Sequence, residues 1–464
     1  MSETTVSPVA ALPRVEAARP NRRSIFVGLA ALGASARVPA IAAEAPADLP
    51  RLTIGNTAAP PISRMHPNFV KDVGLLTDLN PTNQGGAWWN FDTYITPAEQ
   101  FYIRNEYPTP RAEVDSRVDP RRWRLKIHGD AVERPIEIGY DDLLKMPSRS
   151  LISVMQCAGN GRSLFWEQQD MLASPQKVTG NGWGLGGVGQ AEWQYVPMSH
   201  ILGLVGLKDN AKACLFWSGV DGKAPNTESD TGRPLPIEEI ISRPDDIGLA
   251  FKMNGKALLP DHGAPVRAFV PGWAGGASTK WLTEIKIASH DFWVRLNTIG
   301  HANIGPAYPA PVPGPNDEFR FVKPSDIRGV PVTWHVMRSM LTVPLALAKQ
   351  PLLPPNYPLG RGEAPTLPHG PQLLRGYAWA PQAGVRKVDV RVNGGLWQEA
   401  RLIDPQPNPY TWRRFEIALD PQPGDLLIET RTMDNRGQVQ PATVPFNEGG
   451  YDFGAVPRFK IRFT

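Results

Sequence analysis

Proline and glycine punctuate the whole of this 464-residue chain, and they limit what it can fold into. There are 49 prolines and 43 glycines, spread along the sequence rather than gathered in a repetitive tract. Proline interrupts helices and central strands, and glycine supplies turns. The sequence therefore predicts many short strands and ordered loops with a few short helices. The length is sufficient for two or more domains.

The charge and the cysteines exclude some classes of protein. The formal net charge is only +4, and the basic residues are scattered, which argues against nucleic-acid binding. The two cysteines, Cys157 and Cys214, lie in different contexts and do not make a disulfide scaffold. The cellular compartment must therefore be inferred from the N-terminus.

Residues 1–45 are interpreted as an export leader. Arg22 and Arg23 precede a weakly apolar stretch, Ile25 to Ala36, and Ala40-Ile41-Ala42 resembles a small-residue cleavage site. The stretch is too short for a permanent membrane span, so none is expected in the mature chain. This pattern predicts a twin-arginine signal and a periplasmic protein. The alternative is a disordered basic leader that is never cleaved.

The rest of the chain divides into two predicted domains. Residues 46–328 are predicted to form a mixed α+β domain, whose first part, 46–100, is an extended arm without sustained periodicity. Residues 329–464 are predicted to form a β-sandwich of immunoglobulin type, because short strands recur there between turns. The Pro-rich stretch Gly305 to Pro315 is interpreted as a loop or linker.

Several elements are predicted within these domains. A strand is predicted over Arg122–His128 and short helices over Tyr140–Met146, Met198–Val205 and Pro236–Ile241. The C-terminal strand candidates are Gln372–Ala380, Arg386–Asn393, Trp412–Leu419, Gly424–Met433 and Phe453–Phe463.

Cys157 is the strongest candidate for a functional residue. It follows an apolar, strand-like run and opens the turn Gly159-Asn160-Gly161. A thiolate presented at the end of a strand is a soft metal ligand. The alternative for any single cysteine is a small buried hydrophobe, and this is the interpretation of Cys214, whose neighbours are apolar on both sides.

A glycine-rich motif and a polar cluster are further candidates. Gly184 to Gly189 matches GxGxxG, but an alternating segment and Pro197 follow it instead of a helix, so dinucleotide binding is not favoured. These glycines are interpreted as allowing close backbone packing or a sharp bend. Farther along, His262, Arg267 and Ser278-Thr279-Lys280 flank a short buried strand beside a Gly-rich turn. Such a set favours binding of a phosphate or another anion.

Together these motifs resemble the sulfite oxidase family of molybdenum enzymes. The resemblance covers about residues 50–464, and in detail it is nearer to the bacterial sulfite and sulfane dehydrogenase branch of that family. The matching segments, in family order, are Tyr102-Ile103-Arg104-Asn105, Gln156-Cys157-Ala158-Gly159-Asn160, Trp183 to Trp193, Gly219-Val220-Asp221, Met253-Asn254-Gly255, His262-Gly263 with Pro265 and Arg267, Lys280-Trp281-Leu282, Gly376-Tyr377-Ala378-Trp379, Val388-Asp389-Val390, Gly394-Gly395, and Asp434 with Gln438 to Pro441.

The resemblance implies a pyranopterin molybdenum cofactor with the Cys157 thiolate on the metal, and a C-terminal dimerisation domain. It implies that Arg104 and Arg162 lie near an anionic sulfur substrate, for which guanidinium groups are suited. The residues that fall on cofactor-contacting positions are Tyr102, Ile103, Arg104, Asn105, Glu106, Cys157, Asp221, His262, Arg267, Ser278, Thr279 and Lys280.

The chain also departs from the family pattern. Glu106 stands where members commonly have His, and Gly161 where they commonly have Arg. The active-site tyrosine expected shortly after Lys280-Trp281-Leu282 has no clear match, and neither has a substrate arginine from the second domain. The sequence contains no Cys-x-x-Cys-His, so no haem is expected on this chain.

The expected function is oxidation of sulfite to sulfate by oxygen-atom transfer, with electrons passed to a separate cytochrome c. A homodimer, or a heteromer with a cytochrome subunit, is expected. One alternative is a sulfane-sulfur dehydrogenase that acts on a carrier-bound substrate. Another is a protein that retains the cofactor without turnover.

Overall fold

The computed structural model of the protein describes residues 65–167, 178–219, 232–342 and 366–464. In these ranges the helices are five to eight residues long. They are α1 (Tyr140–Leu144), α2 (Arg162–Glu167), α3 (Met198–Val205) and α4 (Ile237–Ser242). The three predicted short helices are therefore confirmed, and α2 is an addition. Short 3-10 turns lie at Trp88–Asn90, Pro260–His262, Gly275–Ala277, Arg295–Asn297 and Pro324–Asp326.

Strands make up most of the regular structure, as the proline and glycine distribution predicts. In the first part of the chain they are β1 (Leu76–Asn80), β2 (Asn83–Gly86), β3 (Ile103–Arg104), β4 (Arg124–His128), β5 (Ile136–Gly139), β6 (Arg149–Gln156), β7 (Val188–Pro197), β8 (Ala213–Trp217), β9 (Gly232–Pro236), β10 (Gly248–Met253), β11 (Lys256–Ala257), β12 (Arg267–Phe269), β13 (Glu284–Ala288), β14 (Phe292–Trp293), β15 (Ala302–Asn303), β16 (Glu318–Phe319) and β17 (Val330–Pro331).

The last part of the chain adds nine strands among the described residues. They are β18 (Arg338–Leu341), β19 (Thr366–Leu367), β20 (Gln372–Trp379), β21 (Val385–Val392), β22 (Gln398–Glu399), β23 (Arg401–Leu402), β24 (Arg413–Leu419), β25 (Gly424–Asp434) and β26 (Arg458–Phe463). The predicted C-terminal strands are confirmed, although the final one begins at Arg458 rather than at Phe453.

The arm before residue 100 is more ordered than the sequence predicts. Strands β1 and β2 form an antiparallel hairpin, and β2 also pairs with β3. The side chain of Asn80 accepts a hydrogen bond from the backbone N–H of Thr82 at 2.9 Å, which closes the turn. Pairing with β2 fixes β3, and β3 carries Arg104 to the site.

Two sheets form the body of the first half. The cysteine sheet has the order β11-β10-β7-β6, with β12 also paired to β10, and all of its pairs are antiparallel. The mixed sheet has the order β5-β4-β13-β8-β9, and its β4–β13 pair is parallel. Cys214 is fully buried in β8, so its prediction as core packing is confirmed.

The GxGxxG segment leads into a strand, because β7 begins at Val188. An ideal Cβ at Gly186 would lie 2.1 Å from the carbonyl oxygen of Gly86, and one at Gly189 would lie 2.6 Å from the ring of Phe101. These glycines therefore permit close backbone packing, as predicted, and the segment lacks the helix that a dinucleotide site requires.

Two sheets form the C-terminal half. Their orders are β18-β20-β24-β23 and β19-β26-β25-β21-β22. Side chains of both sheets, including Trp379, Phe415, Val390 and Phe459, belong to one hydrophobic cluster. This arrangement is consistent with a sandwich, and the immunoglobulin type and the domain boundary at 328/329 stay predictions.

Residues of the C-terminal half form hydrogen bonds with the end of β6, the strand that precedes Cys157. The indole N–H of Trp379 donates to Gln156 Oε1 at 2.6 Å, and the backbone N–H of Val154 donates to the carbonyl of Tyr410 at 2.9 Å. The backbone N–H of Asp452 donates to the carbonyl of Ala158 at 3.0 Å. Both halves of the chain therefore position the loop around Cys157.

Two expectations concern residues outside the described ranges. The leader, residues 1–45, and the predicted cofactor residue Asp221 both lie there. Among the described residues, no helix has the length and apolar character needed to cross a membrane.

Candidate functional site

Cys157 is fixed at the end of β6 by a hydrogen-bonded turn. Its backbone N–H donates to the carbonyl of Gly187 at 2.8 Å, and its own carbonyl accepts from the N–H of Asn160 at 2.9 Å. The side-chain oxygen of Asn160 in turn accepts from the N–H of Gly187 at 3.0 Å. The predicted arrangement, a cysteine at a strand end with a Gly-Asn-Gly turn, is confirmed.

The Cys157 side chain lines a cavity with an empty volume of about 700 Å³. Most of the predicted cofactor residues line the same cavity. They are Tyr102, Arg104, Asn105, Glu106, Cys157, Arg267, Ser278, Thr279 and Lys280. The other lining residues are Phe101, Met155, Gly275, Gly276, Trp281, Leu296 and His301. The strand ends that the sequence analysis singled out therefore meet in one place.

Arg267 is held rigidly on one wall of this cavity. Its Nη1 donates to the carbonyl of His262 at 2.9 Å and its Nη2 donates to the carbonyl of Ser278 at 2.7 Å. Its Nε is buried without a partner, as is the hydroxyl of Thr279 beside it. Burial lowers the pKa of Arg267 to about 10, so the guanidinium is charged at neutral pH. Unpartnered buried donors of this kind fit an anionic ligand.

Lys280 is oriented by the residues beneath the cavity. Its Nζ donates to Asn105 Oδ1 at 2.6 Å and to the backbone carbonyl of Asp261 at 2.6 Å. The buried carboxylate of Asp261 accepts from the backbone N–H of Lys71 at 2.7 Å and from the hydroxyl of Thr109 at 2.5 Å. Sequence reasoning missed Lys71 because it lies in the arm, far from any motif.

Two lysines and Arg267 gather basic groups beneath the cavity, and burial lowers the pKa of Lys71 to about 7 and the pKa of Lys280 well below its ordinary value. Lys71 Nζ lies 3.2 Å from Nε2 of His262. Burial, together with the charges of Lys71, Lys280 and Arg267, places the pKa of His262 well below its ordinary value. An anion in the cavity would raise these pKa values and favour the charged form of each basic group, so the cluster fits a phosphate-bearing ligand.

Two predicted cofactor residues lie behind the cavity wall. The side chain of Ile103 is fully buried in an apolar cluster with Phe69, Val73 and Leu76. His262 is 2% exposed. It acts on the cavity indirectly, because its backbone carbonyl accepts a hydrogen bond from Arg267, which lines the cavity.

Glu106 bridges two arginines at the cavity. Its Oε1 lies 2.5 Å from Nη1 of Arg104, and its Oε2 lies 3.1 Å from Nη1 of Arg295. Burial alone would raise the pKa of Glu106, but the charges of the two arginines outweigh it and lower the pKa. Glu106 is therefore ionised and orients Arg104, the predicted substrate arginine.

Arg162 braces the cysteine loop against the C-terminal half. Its Nε donates to the carbonyl of Gly449 at 2.6 Å and its Nη1 donates to the carbonyl of Asn181 at 2.8 Å. Its guanidinium lies 5.0 Å from the ring centroid of Tyr451. It is buried and is not among the residues that line the cavity. Tyr451 lies in a C-terminal segment that carries no motif, so the sequence did not predict its contact with Arg162.

Arg338 is a second buried arginine near the loop. It is 2% exposed, and none of its three guanidinium nitrogens has a hydrogen-bond partner in the part of the chain that the structure describes. Its Nη1 lies 2.5 Å from the position of an ideal Cβ at Gly161, a residue with a φ of +80°. Burial lowers the pKa of Arg338 to about 9, although the neighbouring Asp452 and Cys157 oppose this shift. The glycine at position 161, where the family pattern has an arginine, was the feature of the sequence that could have pointed to Arg338.

His301 is the remaining unanticipated residue of the site. It lines the cavity, is 6% exposed, and has a buried Nδ1 without a hydrogen-bond partner. Its ring packs 5.5 Å from that of Tyr451. The signal available in the sequence was the missing tyrosine after Lys280-Trp281-Leu282, because His301 lies in the stretch that follows.

Comparison with known proteins identifies the kind of cavity. Residues 111–293 match the family model of the oxidoreductase molybdopterin-binding domain. The chain is 27% identical over 361 residues to mitochondrial sulfite oxidase of Rattus norvegicus, an alignment that covers 76% of this chain and 58% of the relative. The chain therefore contains a molybdopterin-binding oxidoreductase domain and is similar to sulfite oxidases over about three quarters of its length.

Two further proteins are similar to much of this chain. A nitrate reductase [NADH] of Phaseolus vulgaris is 28% identical over 370 residues, covering 76% of this chain and 38% of the relative. The fold is shared with the sulfane dehydrogenase SoxCD from Paracoccus pantotrophus, with a TM-score of 0.63 at 22% identity, over 90% of this chain and 94% of that one. The chain spans 58% of the length of the rat sulfite oxidase.

The departures from the sulfite oxidase family pattern have structural counterparts here. Glu106, in place of a histidine, joins Arg104 to Arg295. Gly161, in place of an arginine, leaves space that the guanidinium of Arg338 fills.

Proposed function

We propose that this protein is a molybdenum oxidoreductase that oxidises sulfite to sulfate and passes the electrons to a separate cytochrome c. The observation that carries the proposal is that the thiol of Cys157 and the guanidinium of Arg104 line one cavity. A thiolate is a soft ligand suited to molybdenum, and a guanidinium is suited to the oxygens of a sulfur oxyanion.

The donor set of the cavity fits the pyranopterin cofactor. Arg267, Thr279 and Lys280 present basic and hydroxyl groups for its phosphate, and the Thr279 hydroxyl and Arg267 Nε have no hydrogen-bond partner among the described residues. Cys157 would supply the protein thiolate to the metal. When bound, the cofactor supplies oxygen-atom transfer to sulfur and accepts two electrons.

The chain's own residues bind and orient the substrate. Arg104 is held by Glu106 at 2.5 Å, so its guanidinium has one preferred direction at the cavity wall. Pre-orientation of this kind lowers the entropy lost when an oxyanion binds. Arg162 and Arg338 add buried positive charge beside Gly159 and Gly161 of the Cys157 loop, which favours an anion in a site of low dielectric constant.

A second candidate is a sulfane-sulfur dehydrogenase that acts on a carrier-bound substrate. The structural likeness to a sulfane dehydrogenase over 94% of that chain favours it. The ionised Glu106 at the cavity also favours it, since a carboxylate beside Arg104 reduces the attraction for a free dianion.

We also propose that the protein works in the periplasm after twin-arginine export, as a homodimer or as a heteromer with a cytochrome subunit. The paired Arg22 and Arg23 support the route. Replacing both by lysine should leave a folded, unprocessed precursor in the cytoplasm. Normal periplasmic delivery of that double variant would contradict the proposal.

Turnover separates the candidate functions. Purified protein loaded with molybdenum should reduce cytochrome c with sulfite, and Cys157→Ser should abolish this activity while Cys214→Ala retains it. Reduction with thiosulfate or a persulfide-bearing carrier, but not with sulfite, would support the dehydrogenase instead. Molybdenum without turnover on any of these substrates would indicate a protein that only retains the cofactor.

A further inference from the structure

The cavity is rich in cations but poor in groups that accept a proton. The ionisable side chains that line it are Tyr102, Arg104, Glu106, Cys157, Arg267, Lys280 and His301. Oxidation of one sulfite ion to sulfate consumes one water and releases two protons and two electrons. The electrons leave to the one-electron acceptor of the proposed function, a cytochrome c, whereas the protons need an acceptor near the reacting sulfur. Arginine cannot serve, because its guanidinium stays protonated.

The other ionisable side chains that line the cavity are held in ion pairs or hydrogen bonds, retain their proton, or are assigned to the metal. Glu106 is bound by Arg104 and Arg295, and its pKa is lowered by them against the effect of burial. Lys280 is held by Asn105 and Asp261. Burial raises the pKa of the Tyr102 phenol, so it holds its own proton. Cys157 is the proposed metal ligand.

His301 differs from these groups in geometry. Among the described residues, no side chain or backbone group makes a hydrogen bond with its imidazole, and its Nδ1 is enclosed. Because Nδ1 is enclosed and the residue lines the cavity, Nε2 is the ring nitrogen that meets the cavity. An ideal Cβ at Gly276 would lie 2.8 Å from the His301 ring, so glycine at 276 makes room for the imidazole.

The surroundings of His301 keep it neutral while no anion is bound. Burial lowers its pKa well below the ordinary value, and the charges of Arg104, Arg233, Arg162 and Arg295 lower it further. The ring of Tyr451 packs against it. A bound dianion would act in the opposite direction and raise the pKa of His301, because an opposite charge favours the protonated ring.

We propose that Nε2 of His301 accepts one of the two protons released during oxidation of the sulfur substrate, and that it acts as the general base of this site. The inference rests on the proposed function, since it assigns a residue to that reaction. The proton passes from the water-derived hydroxyl group to Nε2 and then to solvent, and the second proton is released separately. A neutral imidazole among guanidinium groups suits this role, because no ion pair or hydrogen bond engages its ring among the described residues, whereas the Glu106 carboxylate is paired with Arg104 and Arg295.

The variants His301→Gln and His301→Asn test this role, with His290→Gln as the matched control. His290 lies in the same stretch of chain but pairs with Glu318 outside the cavity. We expect the His301 variants to bind molybdenum normally and to lose about a hundred-fold or more in kcat, which is typical of a general base. In the His301 variants, the fall of kcat that the wild type shows at acidic pH should disappear, and KM should change less than kcat. The control His290→Gln should behave as wild type.

A second measurement does not depend on turnover. In holoenzyme labelled with 15N-histidine, added sulfate should shift the resonance that is missing from His301→Gln and should raise the pKa of that imidazole. A sulfate-insensitive His301 would overturn the inference, as would an unchanged kcat and pH profile in both variants. Loss of molybdenum from both variants would also overturn it, by making His301 a cofactor residue. If the wild-type enzyme oxidises none of the sulfur substrates although His301 responds to sulfate, the proposed function is wrong. The contact between His301 and a bound anion would then still be supported.

Discussion

The guanidinium of Arg338 lies where a side chain at position 161 would begin. Its Nη1 is 2.5 Å from the ideal Cβ position of Gly161. The two residues come from different halves of the chain, and the glycine stands where the family pattern has an arginine. A guanidinium from β18 therefore occupies the space beside the cysteine loop at which the family resemblance implies an arginine side chain.

The first prediction concerns this contact. Gly161→Ala introduces a methyl group against Arg338 and also strains a backbone with a φ of +80°. Gly437→Ala is the matched control, because Gly437 has a φ of +84° and no atom within 4 Å of its ideal Cβ. The control should lose about 1–2 kcal/mol of unfolding free energy from strain. Gly161→Ala should lose a further ~1–3 kcal/mol from overpacking.

Denaturant unfolding of both variants measures this difference. Equal losses in the two variants would show that the guanidinium moves aside freely. In that case the contact with Gly161 would not position Arg338.

The second prediction concerns the buried charge itself. Arg338→Met should change the unfolding free energy of the protein without substrate by less than about 1 kcal/mol, because the guanidinium has no hydrogen bond to lose among the described residues and burying its charge is itself costly. It should nevertheless raise KM for sulfite. A large loss of stability with an unchanged KM would make Arg338 a structural residue instead.

Arg104 and Arg162 are predicted to differ, because only Arg104 lines the cavity. Arg104→Gln should raise KM for sulfite and lower kcat/KM by about one to two decades, the cost of losing a charge-assisted hydrogen bond. Arg162→Gln should mainly lower stability, since it loses hydrogen bonds to Gly449 and Asn181.

Kinetics and molybdenum content, measured on both arginine variants, decide this prediction. Lost metal with an unchanged KM in Arg104→Gln would assign that arginine to the cofactor. An equal rise of KM in both variants would place Arg162 at the substrate as well.

The pH dependence of stability should reflect Glu284 in β13. Burial opposes ionisation, but hydrogen bonds from His128 and Arg320 prevail and lower its pKa from 4.5 to about 2. Because the folded pKa is depressed, the stabilisation is present above pH 4.5 and is lost as the pH falls towards 2. The shift corresponds to ~3 kcal/mol at neutral pH.

Glu284→Gln should therefore be less stable than wild type at pH 7. The difference should shrink between pH 4.5 and pH 2, the window set by the shifted pKa. Glu137→Gln, an exposed neighbour in the same sheet, serves as the control. A constant difference between wild type and Glu284→Gln across this range would contradict the assignment.

The sequence predicted the strands and the near wall of the site because both depend on local patterns. Alternation marks β20 and β24, and the Cys157 turn and the Ser278-Thr279-Lys280 run each lie within a few residues. Arg338, Tyr451 and Lys71 could not be found in this way. Each reaches the site through tertiary packing between segments that are far apart in the chain, and no local pattern records such a contact.

The sequence predicted the location of His301 only in part. It follows the expected motif by less than twenty-five residues, but its side chain reaches the cavity only because its backbone adopts a φ of +48° and position 276 is glycine. Neither condition can be read from spacing. The gap left by the missing tyrosine pointed to the right stretch without identifying the residue.

The central claim is that Cys157 binds molybdenum in this cavity, and X-ray absorption at the molybdenum edge tests it most directly. Purified wild-type protein should contain molybdenum with one more sulfur neighbour than Cys157→Ser, because serine replaces sulfur by oxygen. Cys214→Ala, which removes the fully buried core cysteine, should keep the wild-type number of sulfur neighbours. Absence of molybdenum from the wild type, or the same sulfur count in Cys157→Ser, would contradict the claim.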